Sequence, residues 1–193
     1  MTQLTYFDNV TIIPETWAEY AALQRPTAGN YVNNLPAIAL ALCGETQEVS
    51  DAGTDFKKVT EEVGDVLWGL SLLIDTMNTR GFNVVLPTRI PDSICNAYIE
   101  FNGDDEFVRN LMQEGLIKQA CRIAECVKKH EYQGHPFNAS YVAQVIESMV
   151  NDCGTLLAIY HTHCAHACGV NLAKLAARYP NGFSSQASIN RKV

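Results

Sequence analysis

Hydrophobic residues recur at intervals of three and four positions along most of this 193-residue chain, which is the pattern of amphipathic helices. The alternation of apolar and polar residues that marks strands is nearly absent. The pattern therefore predicts an all-α protein. Helices are predicted over about 14–26, 34–51, 55–78, 93–101, 105–130 and 170–178, with a further one that begins at Asn138 or Ser140 and carries hydrophobic residues from 142 to 156.

Proline and glycine mark the breaks between these predicted helices. Pro26 ends the first helix and Gly81 ends the third. Residues 81–91 contain two prolines, which forbid a continuous helix, so this stretch is predicted to be the longest irregular connection. Residues 184–193 are predicted to form a polar tail.

The composition fits one folded domain that spans residues 1–193. Hydrophobic residues make up 47% of the chain and charged residues 18%, which argues against disorder. No apolar run approaches the roughly 18 residues needed to cross a membrane, and the first residues lack the features of a signal peptide. The seven cysteines are an odd number, so reduced thiols are expected. We therefore expect a cytoplasmic protein without a membrane partner.

The balance of charge excludes one class of partner. The 14 Lys and Arg residues against 21 Asp and Glu residues give a net charge of −7, and the pI is near 5.2. Without a basic stripe, the chain is not expected to bind nucleic acid. A small anionic substrate is still compatible with this charge, because a metal ion can bring it to an acidic site.

Two predicted helices each carry a pair of carboxylates three positions apart. Glu45 and Glu48 form the first pair, and Glu62 and Asp65 form the second. This spacing places both members of a pair on one helical face, close enough to share a cation. Four such charges on facing helices repel each other unless a cation is present, and hard oxygen ligands suit Mg²⁺ or Mn²⁺.

The surroundings of the pairs favour a site over an ordinary solvated acidic face. Each pair lies at the border of a hydrophobic stripe, and the pairs occupy consecutive helices. Gly44 and Gly64 stand beside the pairs and are predicted to let the two helices approach closely.

Three stretches together resemble a known family. Residues 41–51 (Ala-Leu-Cys-Gly-Glu-Thr-Gln-Glu-Val-Ser-Asp) and 61–68 (Glu-Glu-Val-Gly-Asp-Val-Leu-Trp) resemble the E-x-x-E … E-x-x-D signature of MazG-like all-α nucleoside triphosphate pyrophosphohydrolases. Residues 171–183 (Asn-Leu-Ala-Lys-Leu-Ala-Ala-Arg-Tyr-Pro-Asn-Gly-Phe) are similar to the C-terminal segment of that family. The resemblance implies a four-helix-bundle core.

The resemblance also implies a reaction. Members of the family cut a nucleoside triphosphate between its α- and β-phosphates and release the monophosphate and pyrophosphate. By the motif match, Glu45, Glu48, Glu62 and Asp65 are expected to hold two or three Mg²⁺ ions, for which Mn²⁺ can substitute, and a metal-bound water attacks phosphorus. Either Glu48 or Glu45 would take the proton of that water.

Four further residues are expected to bind the substrate. By the motif match, Lys174 and Arg178 would neutralise the β- and γ-phosphates, and Asn171 would hydrogen-bond a phosphate or the sugar. Without the match, the two cations would be ordinary charges at a helix C-terminus. Trp68 follows Asp65 by one helical turn and is a candidate for stacking on the base, with core packing as the alternative.

The middle of the chain contains a possible second copy of the first half. If residues 105–160 repeat residues 14–80, then Gln119 and Arg122 replace the first carboxylate pair, Met149 replaces Glu62, and only Asp152 keeps its acid. Such a degenerate half would complete a four-helix bundle within one chain, as in the related dimeric dUTPases, and leave one site per chain. Otherwise the middle segment is a helical insertion that covers the site or builds an oligomer contact.

A cluster of histidines and cysteines near the C-terminus offers a different kind of ligand. His161, Cys164 and Cys168 share one helical face, and Zn²⁺ accepts nitrogen and sulfur ligands. Ligands from one helix cannot surround a tetrahedral ion, so packing with exposed histidines is favoured over a zinc site.

The sequence thus predicts a magnesium-dependent hydrolase of nucleotide metabolism that acts on nucleoside triphosphates, with (d)GTP favoured over dUTP by resemblance alone. A dUTPase-like or phosphoribosyl-ATP pyrophosphohydrolase-like activity is the alternative among enzymes, and a non-catalytic helical interaction module is the alternative outside them. A homodimer or homotetramer is expected, because short family members close their bundle between chains. The cytoplasm would be that of a host if a phage encodes the chain.

Overall fold

A computed structural model describes residues 10–82, 84, 86–93 and 105–189. Helices dominate these residues, which contain no strands, so the predicted all-α class is confirmed. Most of the helix predicted over 93–101 lies outside the described residues. The helices are α1 (Trp17–Gln24), α2 (Leu35–Asp51), α3 (Phe56–Thr79), α4 (Asp105–Gln133), α5 (Ala139–Ala158), α6 (Cys164–Arg178) and α7 (Ser185–Ile189), with 3₁₀ turns at Arg25–Thr27 and Gly29–Tyr31.

Side-chain caps explain where several helices begin. Asn34 caps α2 by accepting a hydrogen bond from the Ala37 amide, and Asp55 caps α3 in the same way with two amides of the first turn. Asn138, rather than Ser140, caps α5 through the Tyr141 amide. These residue types are frequent N-caps, which is why the starts of these helices were predictable from the sequence.

The last long helix and the C-terminal tail differ from the prediction. α6 begins at Cys164 and not at position 170, because the ring of His163 accepts a hydrogen bond from the His166 amide and caps the helix earlier. Small residues after this cap are buried and extend the apolar face of α6. In the predicted polar tail, residues 185–189 form the short helix α7.

The core is built from four helices of one chain. α2 packs against α3 and α4, while α5 packs against α4 and α3. The middle segment therefore shares the main core with the first half. Full burial of one leucine side chain contributes about 1.5–3 kcal/mol to stability, and the core contains many such residues. Fully buried leucines and isoleucines of these four helices include Leu35, Ile38, Leu42, Leu67, Leu70, Leu73, Leu116, Ile123, Leu156 and Leu157.

Two further helices cover the outer side of α3. Both α1 and α6 pack on this helix. Its wide apolar stripe is therefore buried within the chain, with Val59, Val63 and Leu70 fully inaccessible to solvent. Covering this stripe thus requires no second chain, and oligomerisation stays a prediction. No helix among the described residues is long and apolar enough to cross a membrane.

The irregular connection after α3 is tied by backbone hydrogen bonds to the start of α1. The amide of Trp17 donates to the carbonyl of Thr88 (3.2 Å), and the amide of Ile90 donates to the carbonyl of Glu15 (2.9 Å). Arg80 forms an ion pair with Glu131 of α4. The connection predicted over 81–91 is thus irregular where the structure describes it, yet it is anchored beside α1.

Glycines set the spacing of two helix pairs, but one prediction about them is wrong. A β-carbon at Gly64 would lie 2.8 Å from the carbonyl oxygen of Ala167, so this glycine allows α6, and not α2, to approach α3. A β-carbon at Gly44 would meet nothing within 4 Å, because this residue faces open space. The close approach of α2 to α3 occurs instead at Gly69, where a β-carbon would lie 2.7 Å from Leu42.

Candidate functional site

Three of the four predicted metal ligands form one cluster. Each of Glu45, Glu48 and Glu62 offers a carboxylate oxygen, and these oxygens lie within 4.8 Å of one another. The first two residues stand one turn apart on α2, and the third comes from the facing surface of α3. Glu48 is exposed to solvent, while Glu45 and Glu62 are half-buried. The described residues contain no other group of this kind.

The fourth predicted ligand, Asp65, is held by α6. Its Oδ2 accepts a hydrogen bond from the Nζ of Lys174, with which it forms an ion pair. Its Oδ1 accepts a hydrogen bond from the Nδ2 of Asn171. The ion pair is largely shielded from water, since the side chains of Lys174 and Asp65 are 21% and 19% exposed. The C-terminal segment and the carboxylate helices therefore meet at one place.

The environment of the cluster disfavours its negative charge. Burial, followed by the charges of Asp65 and Glu48, raises the pKa of Glu45 to about 7, although Lys174 acts in the opposite direction. Burial also raises the pKa of Glu62 to about 7; Lys174 opposes this shift, and Asp65 and Glu48 add to it. Burial and the repulsion between neighbouring carboxylates thus disfavour the charged form of both residues.

Replacing Glu45 by Gln is expected to stabilise the metal-free protein at pH 8. The folded-state pKa of Glu45 lies above its ordinary value, so the folded chain binds the proton more tightly and loses stability as the pH rises from about 4.5 to 7. The variant lacks this loss and should melt about 2–4 °C higher at pH 8, with no difference near pH 4. Calorimetry in a chelating buffer checks this. An equal Tm of the two proteins at pH 8 would mean that the folded protein does not disfavour the charged form of Glu45.

Asn171 is not placed where the prediction expected it. Its side chain is fully buried, and both ends of its amide are engaged. The Oδ1 atom accepts a 2.8 Å hydrogen bond from the hydroxyl of Tyr20, and the Nδ2 atom donates to Asp65. In this position the side chain contacts a carboxylate and is not open to a phosphate or a sugar.

Arg178 stays apart from the carboxylates. Its guanidinium carbon lies 6.0 Å from the centre of the Tyr179 ring, a cation–π contact. It forms no ion pair with any residue that the structure describes. The structure thus brings Lys174, but not Arg178, to the predicted metal ligands, and Arg178 as a phosphate ligand remains a prediction.

Aromatic residues gather one turn beyond Asp65. Trp68 is 9% exposed, and its ring lies edge-on to Tyr31 at a centroid distance of 5.2 Å. The ring of Phe183 packs on Gly29, where a β-carbon would come within 2.6 Å of it. This group joins the C-terminal segment to the turns that precede α2.

Two buried polar atoms in this region have no hydrogen-bond partner among the described residues. They are the Nε1 of Trp68 and the Oε1 of Gln24, whose Nε2 atom donates to the backbone carbonyl of Trp68 (3.3 Å). An unpaired buried polar group costs about 1–3 kcal/mol, so each of these two atoms calls for a partner such as a water, an ion or a ligand. Gln24 was not singled out from the sequence, because a lone glutamine near a helix end carries no motif.

The second half of the chain forms a different arrangement at the positions matched to the site. The Nε2 of Gln119 donates to the Oδ2 of Asp152 (2.9 Å) and to the Oγ of Ser148 (2.7 Å). Burial raises the pKa of Asp152 to about 6, although this hydrogen bond lowers it. Met149 is fully buried and Arg122 is exposed. Whether these helices are a true repeat stays a prediction, but their polar contact needs no metal.

In the histidine and cysteine cluster the cysteines belong to the core, but only His161 of the three histidines is exposed, and His163 and His166 are half-buried. Cys164 and Cys168 are fully buried, and the thiol of Cys164 donates to the carbonyl of Val150 (3.8 Å). His161, Cys164 and Cys168 do not form a metal-sized group in the described part of the chain. The described cysteines are free thiols.

Comparisons with known proteins add no relative. No protein-family model matches the chain, and no curated protein or solved structure matches it. The resemblance to MazG-like enzymes therefore rests on the three sequence stretches alone.

Proposed function

We propose that the protein is a Mg²⁺-dependent hydrolase that converts a nucleoside triphosphate or deoxynucleoside triphosphate to the monophosphate and pyrophosphate. The observation that carries this proposal is the meeting of three glutamates from two helices with a lysine from a third. The oxygens of Glu45, Glu48 and Glu62 lie within 4.8 Å of one another, and Lys174 binds the adjacent Asp65. A metal-bound phosphate would offer a cation to the acidic cluster and anionic oxygens to the lysine beside it. The arrangement therefore suits such a substrate better than it suits a contact with another protein.

The donor set fits a hard divalent cation. Mg²⁺ takes oxygen ligands at about 2.1 Å, so two oxygens on one ion lie at most about 4.2 Å apart. The oxygens of the cluster lie within 4.8 Å of one another, and the side chain of Glu48 is exposed and can adjust to a shared ion. Glu45, Glu48, Glu62 and Asp65 would hold the metal, which when bound supplies positive charge to phosphate oxygens and lowers the pKa of a water.

The residues of the chain would do the remaining work. Glu45 or Glu48 would accept the proton of the attacking water. Lys174 is close enough to Asp65 to exchange between this carboxylate and a phosphate oxygen of the substrate. The partly buried position of this lysine strengthens its attraction to a polyanion.

The aromatic residues one turn beyond Asp65 are the proposed binding place for the base of the nucleotide. Trp68 has a buried N–H donor and Gln24 has a buried carbonyl acceptor, and neither atom has a hydrogen-bond partner among the described residues. Groups of these two kinds hydrogen-bond the edge of a nucleobase, and Tyr31 contributes a ring beside Trp68. We propose (d)GTP as the first substrate to test, with dUTP second.

The test of this function is a product analysis over a panel of nucleotides. The protein is incubated with Mg²⁺ and each common NTP and dNTP, and the products are resolved by ion-exchange chromatography. We expect monophosphate and pyrophosphate from a subset of the panel. Diphosphate and orthophosphate would place the cut at the γ-phosphate and contradict the proposed reaction. Absence of products, in Mg²⁺ and in Mn²⁺, would favour phosphoribosyl-ATP or the non-catalytic module.

Replacing Lys174 by Met is expected to lower kcat/KM by about 100-fold, because a charge-assisted contact to the transferring phosphates is lost. The matched control is Lys57→Met, since Lys57 is exposed and pairs only loosely with Glu61 (3.9 Å). Initial rates over a range of nucleotide concentrations check both variants. Equal losses in the two variants would mean that general positive charge, and not Lys174, attracts the substrate.

A further inference from the structure

Two fully buried polar side chains link Asp65 to the core through hydrogen bonds. Tyr20 of α1 and Asn171 of α6 are both 0% exposed, and the tyrosine hydroxyl donates to the Oδ1 of Asn171 over 2.8 Å. Asn171 in turn donates from Nδ2 to the Oδ1 of Asp65 on α3. The three side chains therefore link three helices, and neither buried residue is placed to contact a ligand itself.

The chemistry of the three groups fixes the direction of this chain of hydrogen bonds. A carboxylate only accepts, so Asn171 must present its NH₂ group to Asp65. Its carbonyl oxygen then faces Tyr20, whose hydroxyl can donate to it. The reverse orientation of the amide would set its oxygen against the carboxylate. Asp65 thus sets the orientation of the amide, and the tyrosine hydroxyl, which also lies 3.4 Å from the carbonyl oxygen of Gly64, anchors the other end of the amide.

The two oxygens of Asp65 have different partners as a result. Oδ1 is bound by the neutral amide in the core, whereas Oδ2 is bound by Lys174, whose side chain is partly exposed. The lysine has flexible rotamers and a competing role. Asn171 is instead fully buried, and a β-carbon built on Gly64 would lie 3.1 Å from its Cβ. One oxygen is thus held rigidly, and the other can exchange its partner.

Resting on the proposed function, we infer that Tyr20 and Asn171 are positioning residues for Asp65. They keep its Oδ1 fixed and leave its Oδ2 oriented toward the side from which Lys174, and in its place a cation, approaches. Outer hydrogen-bond partners of this kind typically change metal affinity by about 10–100-fold when they are removed. This role of Tyr20 could not be predicted, since in a sequence a tyrosine at helical spacing is indistinguishable from an ordinary core residue.

The test is a double-mutant cycle that measures Mn²⁺ affinity without any nucleotide. Tyr20→Phe removes one hydroxyl and Asn171→Leu removes the amide at similar volume. Free Mn²⁺ is measured by its electron paramagnetic resonance signal in titrations of both variants, the double variant and the wild type. Ser71→Ala is the matched control, because it also removes a buried hydroxyl of this region, one that donates to the Trp17 carbonyl (3.4 Å).

We expect Asn171→Leu to weaken Mn²⁺ binding about 10–100-fold and Tyr20→Phe about three- to tenfold, while Ser71→Ala binds as the wild type does. In the Asn171→Leu background, Tyr20→Phe should have no further effect, because its influence passes through the amide. Wild-type affinity in Tyr20→Phe, or additive effects in the double variant, would overturn the inference while the proposed function stands. Absence of Mn²⁺ binding by the wild type would overturn both.

Discussion

Replacing Glu62 by Gln is expected to lower the rate of pyrophosphate release by about 10²–10³-fold. The amide keeps the size of the side chain but removes the negative charge that faces Glu45 and Glu48 across the two helices. The carboxylate cluster then loses one of its three charges, so Mn²⁺ affinity should fall together with turnover. Pyrophosphate release and Mn²⁺ titration on the same preparation measure both effects.

The neighbouring residue supplies the matched control for this prediction. Glu61→Gln makes the same chemical change one position earlier on α3, where Glu61 forms only a loose pair with exposed Lys57. We expect the rate of this variant to stay within about twofold of the wild type, as is usual for surface pairs. Similar losses in Glu61→Gln and Glu62→Gln would mean that the net charge of α3, and not the cluster, controls the reaction.

Replacing Gly64 by Ala is expected to destabilise the fold by about 1–3 kcal/mol and to lower activity at least about tenfold. The new β-carbon would lie 2.8 Å from the backbone oxygen of Ala167, which cannot move without the whole of α6. Asn171 and Lys174 lie one and two turns further along that helix, so its displacement separates both from Asp65. Denaturant unfolding and nucleotide turnover at a temperature well below Tm distinguish the two effects.

Gly44→Ala makes the same substitution at a helical glycine without neighbours. Nothing lies within 4 Å of its added β-carbon, so only the helix propensity changes. We expect the free energy of unfolding to rise by about 0.5–1 kcal/mol and activity to stay at the wild-type level. If Gly64→Ala unfolds at the same denaturant concentration as Gly44→Ala, the contact of α3 with α6 is looser than the structure indicates.

The helices and the carboxylate pairs were predictable because they depend on local sequence. Apolar residues at helical spacing and the caps Asn34, Asp55 and Asn138 determine most helix boundaries. The i, i+3 spacing of Glu45 and Glu48 places both residues on one helical face, independently of the tertiary structure. A short connection between α2 and α3 then brings the two pairs together, because it makes the helices antiparallel neighbours.

The supports of the site depend on contacts between distant parts of the chain and could not be predicted in this way. Tyr20 and Asn171 are 151 positions apart, and no periodicity relates them. In the sequence, Gly69 looks like any other helical glycine, and its contact with Leu42 depends on how α2 and α3 pack. Only the family resemblance predicted that the segment around Lys174 would reach the carboxylates. The same resemblance assigned Asn171 to the substrate, since a sequence motif does not show that a side chain is buried.

The most direct test of a metal–phosphate site at this cluster is the anomalous scattering of Mn²⁺ in crystals grown with a nucleotide whose α,β-bridging oxygen is replaced by a methylene group. We predict a peak about 2.1 Å from oxygens of Glu45, Glu48 and Glu62, with Lys174 turned from Asp65 toward the phosphates. Crystals with a bound nucleotide but with no metal at these three glutamates, or with the metal at the histidines of residues 161–166, would contradict the proposed site.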